Sequence, residues 1–162
     1  MKRGIATLLT VAVVLAAAGA GVLAWLAVRP DGTLYPQISA YTRGQLARVG
    51  PFAYCDPRFE SCVRPENVGE LTVDSANVVQ LSVPEAIGYA PWRLLVIREG
   101  GFTEAIYRPK ARLAVTIPTV EPQQGKLEKI VVQLPTVVQD ETGELHETYH
   151  AEWTVETHWP EQ

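Results

Sequence analysis

Between Leu145 and Trp159 apolar residues fall on odd positions and polar residues on even ones, across fifteen positions broken only by Glu147 and Thr157. A period of two is the pattern of a half-buried β-strand, whose successive side chains leave opposite faces. A helix would need its apolar residues three and four apart. The same segment spells HETYH, His146 to His150, a match to the H-E-x-x-H signature of zinc proteases. That signature works on a helix, where two imidazoles four residues apart share a face. On a strand the two rings also share a face but stand ~13 Å apart at ~3.3 Å per residue. One zinc needs each nitrogen within ~2 Å. Beyond His150 no H-x-x-G-x-x-H continuation follows, and His158 would stand a further ~26 Å along the strand. The match is expected to be accidental, with His146 and His150 solvent-facing. A zinc-dependent hydrolase using HETYH is the competing reading.

The period of two recurs through the chain. Ile38 to Thr42 and Gln45 to Val49 flank Thr42-Arg43-Gly44 as a hairpin. Val79, Leu81 and Val83 alternate with polar residues before Pro84. Trp92 to Glu99 is apolar on both faces in its middle, which predicts a central strand, and Glu99-Gly100-Gly101 turns the chain into Phe102 to Arg108. Leu113 to Ile117, Lys129 to Pro135 and the short Leu71 to Val73 complete the strands, and Gln139 to Glu144 turns into the last one. Pro84 ends its strand, because proline cannot donate into a ladder, Pro118 follows the alternation of Leu113 to Ile117, and Pro135 is the last residue of the strand read from Lys129. Only Pro84 to Ala90 suggests a helical turn. Eight or nine short strands predict an all-β ectodomain, an antiparallel, immunoglobulin-like β-sandwich.

Ahead of that domain, Ile5 to Val28 is an unbroken apolar run of 24 residues. As a helix it would be ~36 Å long, enough for a ~30 Å hydrocarbon core. Lys2 and Arg3 before it place the N-terminus in the cytoplasm and the domain outside. Ala16, Ala18 and Ala20 offer signal-peptidase-like sites, and cleavage there would release a secreted domain. The run extends well past the usual apolar core of a signal peptide, which favours a retained anchor. The expected organisation is a transmembrane anchor over 1–28, a tether over 29–36 and an extracytoplasmic domain over 37–162, in contact with the bilayer through Ile5 to Val28.

From Arg29 onward, 12 Lys plus Arg face 18 Asp plus Glu, a net charge of −6. That excludes nucleic acid as a partner, since phosphates call for a basic surface. Cys55 and Cys62 are the only cysteines. An even count in an oxidising compartment predicts a disulfide, and Asp56-Pro57 supplies the turn that closes it. C-x-x-C redox spacing and a four-ligand zinc set are both absent. No nucleophile elbow or phosphate-binding glycine loop occurs, and no cofactor is expected. Arg108, Lys110 and Arg112 would share one face if that stretch is extended. Together with His146, His150 and Glu152 they form the candidate interaction residues. Gly88 to Trp92, GYAPW, is faintly similar to the glycine-aromatic-tryptophan loop of chagasin-type protease inhibitors, although Trp92 fits a core position better.

The segments VGPFAYCD with Cys62, QLSVPEAIGYAPWRLL, RLAVTIPTV, VVQLPTVVQD and HAEW together resemble a DUF2771-like family of actinobacterial membrane-anchored envelope proteins. The resemblance covers nearly the whole ectodomain. It implies an N-terminal anchor or signal and an envelope location, and it brings no activity and no catalytic residues. The resulting expectation is a non-catalytic, single-pass envelope protein whose sandwich binds a protein or envelope partner as an adaptor or accessory module. A protease-inhibitor-like module using the Gly88–Trp92 loop is a further alternative.

Overall fold

The computed structural model describes residues 14–24, 35–140 and 142–160. The chain divides into two compact units, Met1–Leu34 and Tyr35–Gln162. In the first, residues 14–24 are helical (α1), and the rest of the expected membrane span lies outside the described residues. Among the described residues no helix is long and apolar enough to cross a membrane.

The second unit is built of β-strands in two sheets. The smaller sheet has the order β2 (Gln45–Val49), β1 (Ile38–Thr42), β6 (Val78–Ser82), β9 (Ala114–Pro118). The larger runs β4 (Cys62–Val63), β3 (Ala53–Cys55), β12 (Leu145–His158), β11 (Gly125–Gln139), β7 (Trp92–Arg98), β8 (Gly101–Tyr107). Two short additions complete it: β5 (Val68–Thr72) pairs with β12, and β10 (Val120–Glu121) pairs with β11. The expected helical turn is present as α2, Glu85–Gly88.

The alternation does what the sequence pattern requires. Along β7, Trp92, Leu94 and Val96 point inward, paired through β11 with Val132 and Ile130 and on to Trp153 and Val155 of β12. The smaller sheet contributes Ile38, Ala40, Val79, Leu81 and Ile117 to the same core. Both fully buried tryptophans satisfy their indole N–H. Trp92 Nε1 donates to the Arg112 carbonyl at 3.2 Å, and Trp153 Nε1 donates to the Pro36 carbonyl at 2.8 Å. Arg43 and Gly44, with φ of 48° and 77°, make the tight β1–β2 hairpin with the backbone twist such turns favour.

Three features depart from the sequence expectations. The pairing is mostly antiparallel, but β5 runs parallel to β12, from Val68 opposite Thr154 to Thr72 opposite His158. Gly69 lets β5 approach β2 closely, since a Cβ there would sit 2.2 Å from Val49 Cγ2. Pro135 does not end its strand. It lies inside β11, where the missing N–H is accommodated by a register shift. Finally, the even-numbered side chains of β12 do not all face water: Thr154 is buried, opposite Val131 of β11 and Val68 of β5.

Candidate functional site

The register shift at Pro135 organises the main cleft. Leu134 pairs with Ala151, and Pro135 pairs with Tyr149, so His150 is an extra residue with no cross-strand partner in β11. This is a β-bulge, which re-aims the side chains on either side of it. Past the bulge Ala151, Trp153 and Val155 point into the core. Before it Tyr149 swings to the outer face, 36% exposed, with the Arg93 guanidinium 5.1 Å from its ring centroid. The alternation therefore changes phase at His150, and Tyr149 does not share the apolar face of Trp153.

His150 turns toward β3. Its Nδ1 lies 3.1 Å from the Cys55 carbonyl, and its ring meets Tyr54 edge-on with centroids 6.3 Å apart. A carbonyl only accepts, so Nδ1 carries the proton in that bond and Nε2 is left as an acceptor in the neutral ring. Cys55 and Cys62 are disulfide-bonded and face each other across β3 and β4, with Cα atoms 4.1 Å apart. Asp56 holds the connecting loop, its carbonyl accepting from Phe59 N–H and its Oδ1 from Glu60 N–H. Between this loop and the bulge lies a cleft of about 320 Å³ lined by the disulfide, Phe59, Arg64, Tyr149, His150 and Glu152. Glu152 is held by Gln133, whose Nε2 donates to Oε2 at 2.7 Å. The cleft thus offers a guanidinium, an imidazole acceptor, an anchored carboxylate and two aromatic walls on a strand scaffold, a set suited to holding a polar group against apolar surface.

Of the six candidate interaction residues, the structure brings His150 and Glu152 together here. His146 is elsewhere, near the start of β12, its Nε2 2.9 Å from Asp140 Oδ2 in the adjoining turn. Asp140 Oδ1 accepts from the Thr142 hydroxyl and from the Thr142 and Glu144 N–H groups, and these bonds with His146 bring its carboxyl down to about 2. Asp140, Glu144 and His146 stand close enough to share a cation, all of them solvent-exposed. The expectation of a single face for Arg108, Lys110 and Arg112 is not met. That stretch is a turn, with Lys110 at φ 61° and Ala111 N–H donating to the Arg108 carbonyl. Lys110 instead sits over the Tyr89 ring, 4.9 Å from its centroid. In the Gly88–Trp92 loop Trp92 is fully buried against Tyr107, so it is a core residue and not a projecting wedge. HETYH lies wholly in β12, so its histidines have the geometry of a bulged strand and not of a zincin helix. Sequence reasoning missed Arg64, Phe59 and the bulge itself. Pro135 inside an apolar run was the available signal.

The family described as "Protein of unknown function (DUF2771)" matches residues 32–158. The chain belongs to the DUF2771 family. Similar DUF2771 relatives are Uncharacterized protein Rv0875c of Mycobacterium tuberculosis and Uncharacterized protein Mb0899c of Mycobacterium bovis. Each is 52% identical over 158 residues, covering 96% of this chain and 98% of the relative. No solved structure matches this DUF2771 chain.

Proposed function

We propose that this DUF2771 protein is a non-catalytic, membrane-anchored envelope protein whose immunoglobulin-like sandwich binds a protein partner as an adaptor or accessory module. The bulge cleft is its contact site. The observation that carries this reading is the convergence of Arg64, His150, Glu152, Tyr149 and Phe59 on one cleft walled by the disulfide. Binding residues fixed on strands and stapled by a disulfide are pre-organised, which lowers the ordering cost of association. The 24-residue apolar run ahead of the domain supports a single-pass anchor with the sandwich outside the cytoplasm. Exposure to an oxidising compartment agrees with the disulfide.

The test is site-specific photocrosslinking in native membranes. A photoreactive residue at Arg64 should give a discrete adduct, while one at Gln80, exposed on the smaller sheet, should not. Equal labelling at both positions, or none at Arg64, would refute the cleft as the contact site. Recovery of the protein in the soluble fraction without its first residues would refute the anchor.

A further inference from the structure

A second cleft lies on the opposite side of the sandwich. Strands β8 and β9 end their respective sheets and are not hydrogen-bonded to one another, so the two layers part at this edge. The seam holds a cleft of about 220 Å³. Its lining is mixed: Leu94 and Val96 from β7, Ala105 from β8 and Val115 and Ile117 from β9 are apolar, while Thr103, Thr116 and Glu104 are polar, and the Glu104 carboxylate is already paired with Arg93. Arg98 also lines it, in the inward-facing position where the stripe of Trp92, Leu94 and Val96 calls for another hydrophobe.

The Arg98 side chain is 2% exposed, and its nearest carboxylate, Glu121, stands 3.6 Å from Nη2. Among the described residues, Arg98 Nε and Nη1 have no hydrogen-bond partner. Withdrawing a guanidinium from water is costly unless its donors are met, and unmet buried donors add to that cost. Glu121 is 40% exposed and does not meet them. A guanidinium with spare donors beside the aliphatic side chains of Leu94, Val96 and Ile117 has the chemistry of a carboxylate receptor, because a carboxylate accepts from a guanidinium through two parallel bonds. A cleft of about 220 Å³ has room for a small ligand of a few carbon atoms.

We propose that this seam binds a short aliphatic carboxylate. Its head pairs with Arg98, and its chain lies between Leu94, Val96, Val115 and Ile117. Glu121 is then the internal carboxylate that occupies the guanidinium when no ligand is present and moves aside when one enters. Pentanoate matches the size of the cleft, and a longer chain would emerge at the open edge.

The experiment titrates pentanoate into the full-length chain in non-ionic detergent and follows the methyl signals of Leu94, Val96, Val115 and Ile117 by NMR. Saturable shifts are expected below about tens of millimolar, the range open to so small a ligand. Arg98→Met should weaken binding by about tenfold to a hundredfold, as expected for loss of a charge-assisted pair. Glu121→Gln removes the competing carboxylate and should tighten binding about threefold or more. It keeps the test decisive if Arg98→Met does not fold. The proposal is overturned by any of three results: no saturable shift with pentanoate, equal shifts with pentan-1-ol, or unchanged binding in the Glu121→Gln protein.

Discussion

Truncating Trp153 tests the packing of β12 where the strand is most deeply buried. The side chain is fully buried. It packs edge-on against Tyr54 at 6.3 Å and anchors the domain's first residues through the bond from Nε1 to the Pro36 carbonyl. Trp153→Ala removes the ring and leaves a cavity, at a cost of about 3–5 kcal/mol. Trp153→Phe keeps most of the buried area and loses the hydrogen bond and part of the volume, at a cost of about 1–3 kcal/mol. For a domain of this size those values correspond to melting-temperature losses of roughly 10–20 °C and 3–10 °C. His146 is the control. Its side chain is 51% exposed near the start of β12, and His146→Ala should stay within about 0.5 kcal/mol of wild type. Urea unfolding of the full-length chain, followed by far-ultraviolet circular dichroism, gives all three values on one scale. A Trp153→Ala loss below about 1 kcal/mol, or a His146→Ala loss as large as that of Trp153→Phe, would refute the contrast between a buried and an exposed position.

Replacing both Cys55 and Cys62 by serine should lower stability by roughly 2–3 kcal/mol in the loop-entropy picture, read as a lower urea midpoint; an unchanged midpoint would remove the disulfide's structural role. Gly69→Ala should cost about 1–3 kcal/mol, because its Cβ would meet Val49 Cγ2 at 2.2 Å where β5 packs on β2, and a neutral effect would mean this contact is loosely packed. Asp140, with its carboxyl held at about 2 by the Thr142 hydroxyl, His146 and the Glu144 N–H, stabilises its turn above the ordinary carboxylate range. That contribution should be lost as pH falls from about 4 through about 2. Thr142 and Glu144 amide shifts should follow that titration in wild type and not in Asp140→Asn.

Most of the strand plan was legible because burial on one face imposes a visible period. The β1 and β2 boundaries coincide with the stretches read from Ile38 to Thr42 and Gln45 to Val49, and β7, β8 and β12 fall within a residue of their predicted ends. The short strands β3, β4 and β10 were not legible. Two or three residues carry no measurable period, and what holds β3 and β4 together is a cross-link and one partner strand rather than a patterned face. The parallel alignment of β5 was equally hidden, since a pairing direction leaves no trace in the alternation of a single strand.

Two of the places where the pattern misleads lie beside clefts. Uninterrupted alternation through β11 and β12 would have put Tyr149 beneath the core and left the outer sheet face without the wall that now faces the disulfide. Pro135 breaks the ladder, His150 takes up the extra residue, and the cleft lies between this bulge and the disulfide loop. A hydrophobe at position 98 would likewise have extended the inward stripe of β7 and packed against Ile117. Arg98 places a guanidinium there instead, with donors left over. Each departure costs stability locally, through a lost ladder bond in one case and a buried, under-paired cation in the other. A strand protein with a continuous core has no structural need for either. Local rules broken at a stability cost, beside a cleft of ligand size in both instances, are what binding sites carried on an otherwise regular sandwich look like.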